Sequence, residues 1–344
     1  MSCRRLVALL ALMLLPCSGS AQALPPPPPQ PTIASLGSCQ LLSGATIPNC
    51  RIAYRAYGRL NASRTNAVLV PTWLLGRSEQ WIDMLGPDKM IDTTWFYVVL
   101  VDALADGRSS SPSNTTPEGR AAFAQLTIAD MVEAQHRFVV EHLELPRLHA
   151  VVGISMGGMQ AFEWAVRYPD FLDAAVPIVG SPRVAPFDDL LGSMDVSILV
   201  DGRHWDVPDD ALRGVMQRAI ALFLRTPTAV DTEPRVALVN LLRDGVALVH
   251  GWSVDDDMTQ LGAALRHNVA APYGDDMARA AARVRARMLI VYSWDDHMVA
   301  AGPAATFARL VRADTLSLKS SCGHDAPACE SALVNPAVRA FLAR

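Results

Sequence analysis

The chain has 344 residues, 51% of them apolar, which is enough for one large core carrying an insertion. A net charge of −4, with no basic run and no interleaving of aromatic and basic residues, gives no footing for nucleic-acid binding. Past the N-terminal segment nothing approaches the roughly 20 uninterrupted apolar residues that cross a bilayer, so no membrane association is expected in the mature chain.

Residues 1–23 read as an export signal. Arg4 and Arg5 give a positive start, residues 6–15 an apolar stretch too short to span, and Ala21-Gln22-Ala23 a small-residue cleavage site. The expected location is therefore secreted or periplasmic. Pro16 directly before Cys17 argues against a lipid-anchored leader. Residues 24–36 follow as a proline-rich spacer with no core of its own. Cys3 and Cys17 leave with the signal, and Cys39, Cys50, Cys322 and Cys329 remain. Of the three possible pairings, Cys39–Cys50 and Cys322–Cys329 are favoured because each closes a short loop in an oxidising compartment. No metal-ligand spacing occurs, and neither a metal nor an organic cofactor is expected.

Residues 50–58 alternate in the manner of an edge strand, whereas 66–71 and 95–101 are continuous apolar runs suited to buried parallel strands. Residues 102–116, rich in Ser, Gly, Asn and Pro, predict a loop. Helical spacing over 127–143 predicts a helix with Thr127 as N-cap. A strand over 148–154, a helix over 160–167 and a strand over 172–179 follow. Residues 288–292 and 315–319 supply the last two strands, with helices over 304–311 and 331–342. Between them lie helical stretches such as 211–224 and 235–249. The order predicts an α/β core over 37–182 and 286–344, with a mostly parallel sheet covered on both faces. Residues 183–285 form a helical cap inserted in it.

The strongest chemical signal is Gly153-Ile154-Ser155-Met156-Gly157 between a strand and a helix. It is similar to the nucleophile elbow of the α/β-hydrolase fold, where glycines permit a sharp turn that lifts the serine above the sheet. Acyl transfer by serine also needs a base, an acid to orient the base, and oxyanion donors. After the strand at 288–292 comes Ser293-Trp-Asp-Asp-His-Met-Val299. The register of that turn selects Asp296 over Asp295, with Ala300 where the next helix opens. After the last strand comes Gly323-His324, which makes His324 the base. His136, His142 and His250 fall in helical patterns and read as surface or boundary residues, and His297 lies on the acid's turn. The oxyanion donors are expected to be the Met156 N–H and one from Thr72-Trp-Leu-Leu-Gly76, with Leu74 preferred and Trp73 the alternative. Both side chains can pack under the cap as well.

With these residues in view, the chain resembles the homoserine O-acetyltransferase family of α/β-hydrolases. The resemblance rests on Asp106-Gly-Arg-Ser-Ser-Ser-Pro-Ser-Asn114, on residues 153–165 (GISMGGMQAFEWA) with Tyr168-Pro169, and on Gly323-His324-Asp325-Ala326. It covers residues 50–182 and 285–344. It implies Ser155, Asp296 and His324 as a catalytic triad beneath a helical lid. The chain departs from the family at Thr72–Gly76, where His-Ala-Leu-Thr-Gly is usual. The cap lacks a match to the family's arginine segment for the homoserine carboxylate. Asp325, which in the family lies near the acceptor's amino group, can equally be structural. The expected activity is hydrolysis of a small-molecule ester through an acyl-serine, with acyl transfer from a thioester to an alcohol as the second reading. A non-catalytic binding protein on the same fold is the third. Assembly is open, a homodimer included.

Overall fold

In a parallel sheet each strand must be apolar on both faces, and the strands that carry the site obey this. The computed structural model describes residues 29–237, 239 and 253–344. Its strands are β1 (Thr32–Ser35), β2 (Cys39–Gln40), β3 (Thr46–Ile47), β4 (Arg51–Tyr57), β5 (Ala67–Pro71), β6 (Tyr97–Val101), β7 (Leu148–Ile154), β8 (Leu172–Ile178), β9 (Arg287–Ser293) and β10 (Asp314–Leu318). Eight form one sheet in the order β1-β4-β6-β5-β7-β8-β9-β10, and β2 and β3 pair separately as a hairpin. Within the eight-stranded sheet the β1–β4 and β4–β6 pairs are antiparallel and the remaining pairs are parallel.

Alternation along the strands divides the interior in two. Leu69, Val99, Val151 and Ile290 face a core completed by Met131, Phe162, Trp164 and Phe307. These come from the helices Ile128–Arg137, Met156–Arg167 and Ala301–Val311. Val68, Val70, Leu100, Val152 and Val291 face a second core with Trp81, Val334, Val338 and Phe341. That face is covered by the helix Ser331–Leu342 and the 3₁₀ turns Ser78–Met84. Each such fully buried side chain contributes roughly 1.5–3 kcal/mol of transfer free energy. The described residues from Pro31 to Arg344 make one compact unit.

Several expectations are corrected. The strand expected over 50–58 is not at the edge, because β1 pairs outside it and buries Ala34 completely. Those four residues end the segment expected to be a coreless spacer, and the adjoining prolines conceal their alternation. The helix over 127–143 is α-helical only to Arg137 and continues as a π turn over Phe138–His142. Thr127 does cap it, accepting from the Asp130 N–H while its own N–H donates to Asp130 Oδ2. The elbow helix begins at Met156, four residues earlier than its periodicity suggests. Between β8 and β9 the described helices are Pro186–His204, Asp209–Leu224, Pro227–Thr232, Val254–Leu265 and the short Met277–Ala281. The first escaped the sequence reading because Phe187, Leu190 and Met194 are exposed while Leu191 and Leu199 are buried, so no single apolar stripe stands out. The leader, the spacer up to Pro28, His250 and most of the helix expected over 235–249 lie outside the described residues.

These inserted helices contact the loops that leave the carboxyl ends of the strands. Gln260 bonds Leu75 and Leu104 beyond β5 and β6, Asp188 bonds Ala300 beyond β9, and Thr226 bonds Ser321 beyond β10. In an open α/β sheet this end is where ligands bind.

Candidate active site

A single residue, Ser155, joins β7 to the helix Met156–Arg167. Its backbone sits at φ 56° and ψ −122°, a region that residues with a Cβ avoid. The surroundings hold it there, since its N–H donates to Ile178 O at 2.9 Å and its C=O accepts from Met159 N at 3.0 Å. The flanking glycines are steric necessities. A Cβ on Gly153 would lie 2.0 Å from Gly157 O, and one on Gly157 would lie 2.5 Å from Pro71 O.

The two expected partners converge on this serine. His324 Nε2 is 2.9 Å from Ser155 Oγ, and His324 Nδ1 is 2.7 Å from Asp296 Oδ2. Asp296 Oδ1 accepts from Met298 N at 2.9 Å and Val299 N at 2.8 Å, which fixes the carboxylate plane. Asp295 is exposed beside it and His297 is exposed beyond it, so only Asp296 of the two aspartates joins the cluster. An ionised Asp296 accepts the Nδ1–H, which leaves the Nε2 lone pair facing the serine hydroxyl. Burial pulls the His324 pKa down. The Asp296 carboxylate, through its charge and its hydrogen bond, outweighs that, with Asp325 and Asp188 adding to it, and the net shift is upward from 6.5.

The oxyanion loop is set by hydrogen bonds that the sequence reading did not anticipate. Thr72 N–H donates to Val101 O, and Leu75 N–H donates to Gln260 Oε1 at 2.9 Å, which removes Leu75 as a free donor. Among the described residues the N–H groups of Trp73 and Leu74 donate to no protein acceptor, so both expected alternatives stay open to a ligand. Met156 opens its helix, and its N–H has no intrahelical acceptor. The packing roles are real as well: Trp73 lies against Trp81 with centroids 5.6 Å apart, and Leu74 packs onto the inserted helices.

Gln160 links the two oxyanion segments. Its Nε2 donates to Thr72 O at 3.1 Å and to Met156 O at 3.2 Å, while its Oε1 accepts from Gln135, which accepts from Trp164 Nε1. Two glutamines on the apolar faces of neighbouring helices were the available signal. Asp188 is a second missed residue, and its carboxylate accepts from Ala300 N, bracing the turn that carries Asp296. Burial raises its pKa.

Ser155 and His324 open into a cavity of about 1020 Å³. One wall is the helical stripe Gln217, Ile220, Ala221 and Leu224, and another is Trp73, Met84 and Met90. Arg77 and Glu79 lie at its side. Burial opposes ionisation of Glu79, but hydrogen bonds from Arg108 and Arg55 hold its pKa at about 2. Asp325 also lines the cavity, but its Oδ2 accepts from Arg225 Nε at 3.1 Å. The four remaining cysteines pair as Cys39–Cys50 and Cys322–Cys329. The Cys322 sulfur is thereby engaged, and a thiol nucleophile beside His324 is not available.

Comparison with known proteins agrees with this architecture. A family model described as the alpha/beta hydrolase fold matches residues 67–198. The ethyl acetate hydrolase of Pseudomonas veronii is 38% identical over 158 residues, 45% of this chain and 45% of that protein. A homoserine O-acetyltransferase of Rhodospirillum rubrum is 30% identical over 253 residues, 67% of this chain and 63% of that protein. The chain thus spans about half the length of curated relatives such as the first. Among solved structures, the acetyl esterase MekB superposes with a TM-score of 0.84 at 26% identity, covering 91% of this chain and 95% of that one.

Proposed function

Starting from a chain that belongs to the α/β-hydrolase superfamily, we propose that it is an exported serine esterase using Ser155, His324 and Asp296. The observation that carries this reading is the hydrogen-bonded series Asp296–His324–Ser155, at 2.7 and 2.9 Å, on a strained elbow facing a large cavity. In the first half-reaction His324 Nε2 accepts the Oγ proton as the serine attacks the ester carbonyl, and Asp296 stabilises the imidazolium. The Met156 N–H and one from Leu74 or Trp73 receive the oxyanion. His324 then protonates the departing alcohol. In the second half-reaction it accepts a proton from water as the water oxygen attacks the acyl carbon, then returns that proton to Ser155 Oγ as the acyl–Oγ bond breaks and the acid leaves. Neither a metal nor a redox group takes part in these steps.

Acyl transfer is the second reading, favoured by the relative from Rhodospirillum rubrum. It requires a dry site and a firmly anchored acceptor, because the acyl-enzyme must meet a dilute alcohol before water. Here Asp325, the group suited to hold an acceptor's amine, is already paired with Arg225, which also meets Glu233. Export fits the leader-like residues 1–23 and the two disulfides, and it would separate the chain from cytoplasmic thioesters. The test is product partition. The purified protein is given an activated acyl ester together with millimolar homoserine, serine or a simple alcohol. Free acid as the main product supports hydrolysis, and new ester as the main product, or a rate that depends on acyl-CoA, supports transfer.

A further inference from the structure

The loop that carries His324 has few attachments of its own. Its backbone bonds are internal: Gly323 N–H donates to Ser320 O at 3.3 Å and Asp325 N–H to Cys322 O at 3.1 Å. The Cys322–Cys329 disulfide ties it only to the residues that follow it. Among the described residues, every hydrogen bond joining residues 320–325 to another part of the chain, the two of the imidazole excepted, ends on Arg225 or Thr226. Thr226 donates to Ser321 O through its N–H at 3.2 Å and again through its hydroxyl, and Arg225 Nε donates to Asp325 Oδ2 at 3.1 Å. The backbone beside them lies against Gly323, where a Cβ would meet Leu224 O at 2.9 Å and Arg225 Cα at 3.3 Å. Both flanks of His324 are thus held by the link between the inserted helices Asp209–Leu224 and Pro227–Thr232. Glu233 Oε1 accepts from Arg225 Nη1 at 3.2 Å and fixes the guanidinium from the far side.

We propose that Arg225 is a positioning residue for the reaction, holding His324 in register with Ser155 through Asp325. The proposal rests on the reading of His324 as the base for Ser155. Catalysis needs such a hold, because Nε2 must stay within about 3 Å of Oγ to take its proton, and a misplacement of about 1 Å can cost roughly 10²-fold in rate. Folding does not need it: the two side chains are 30% and 32% exposed, and an ion pair so placed adds little to stability. The pair also has an electrostatic signature. Asp296 after β9, Asp325 on the loop itself and Asp188 from the helix Pro186–His204 each favour the imidazolium. Arg225, with Glu233 behind it, faces Asp325 from the insertion, and its charge offsets that of the aspartate. Loss of Arg225 therefore moves the His324 pKa up, and loss of Asp325 moves it down. Either loss frees the loop, so the two changes share an effect on rate and differ in the sign of their effect on titration.

The experiment compares Arg225→Met, Arg225→Lys, Asp325→Ala and the double variant Arg225→Met/Asp325→Ala on an uncharged p-nitrophenyl ester across pH, with thermal unfolding alongside. Arg225→Met should lower kcat about 10- to 100-fold, keep KM within about threefold and move Tm by about 2 °C or less. The acid limb of its kcat/KM profile should shift upward. Arg225→Lys keeps the charge, so it should return the midpoint to that of the parent and recover part of kcat. Asp325→Ala should lose a similar factor in kcat while its midpoint shifts downward, and adding Arg225→Met to it should cost less than about a further twofold. Asp325→Ala reads the same hold from the loop side, so the test does not depend on one variant folding. Values of kcat within twofold of the parent in both single variants would overturn the proposal. So would a change confined to KM, which would place the pair on the substrate instead, or losses that multiply in the double variant with no shift of midpoint. A parent protein with neither ester turnover nor fluorophosphonate labelling of Ser155 would overturn the proposal together with the reading beneath it.

Discussion

Asp296→Asn should reduce kcat/KM by about 10⁴, and the hydrogen bonds around this carboxylate say why. Oδ1 accepts from two backbone N–H groups, those of Met298 and Val299, while Oδ2 accepts from His324 Nδ1. An asparagine has one oxygen to offer. Keeping it on the two backbone donors turns the NH₂ toward His324, where it donates to Nδ1. The imidazole must then carry its proton on Nε2, and a ring with Nε2–H cannot accept the Ser155 proton. Turning the oxygen toward His324 instead would aim the NH₂ at two N–H groups and leave both unsatisfied, at about 1–3 kcal/mol each. The first arrangement wins, so the fold is retained and the base is lost. At 1.36 kcal/mol per decade, the expected loss is about 5.5 kcal/mol of transition-state stabilisation. Steady-state hydrolysis of an activated ester measures it, with thermal unfolding as the control for folding. Asp295→Asn, at an exposed position, should stay within about twofold. Activity of Asp296→Asn within tenfold of the parent, or greater damage from Asp295→Asn, would refute the assigned acid.

Gln160→Leu leaves Thr72 O and Gln135 Nε2 without a buried partner, so it should cost about 2–5 kcal/mol of stability and lower kcat more than it changes KM; chemical denaturation and steady-state kinetics check both, and a change confined to KM would contradict the bridging role. Because only neutral His324 accepts a proton and its pKa is raised, activity should fall on acidification with a midpoint above 6.5, and in Asp296→Asn the midpoint of the residual activity should move down, since burial is then opposed only by the smaller effects of Asp325 and Asp188. Pairing Cys322 with Cys329 closes a short loop around His324, so replacing both with serine should remove about 2–3 kcal/mol by the chain-entropy estimate and lower kcat. Mass spectrometry without reductant that found both thiols free would remove that expectation.

The elbow was legible because its chemistry is local: one strand, one helix and glycines whose missing side chains are forced by backbone contacts. His324 and Asp296 could be placed because each follows a strand whose apolar run is unmistakable. What escaped was held together across the fold. Gln160 and Asp188 look like ordinary polar residues in helices, and their roles exist only once Thr72 and Ala300 are brought against them. The helix Pro186–His204 was obscured because it is apolar on two sides, one packed and one exposed. β1 was obscured because four residues beside a proline run carry too little alternation to register. Choosing between Leu74 and Trp73 turns on the orientation of single N–H groups, which side-chain identity does not encode.

In the proposed reaction Ser155 becomes acylated and water releases the acyl group. It is tested most directly by mixing the protein with a p-nitrophenyl ester, quenching in acid within the first turnovers, and mapping the added mass by peptide mass spectrometry. A burst of nitrophenol is expected, with the acyl mass on the peptide containing Ser155, its decay to free acid, and neither burst nor adduct in Ser155→Ala. Ester hydrolysis that persists in Ser155→Ala at the parent rate, or an acyl mass on another residue, would contradict it.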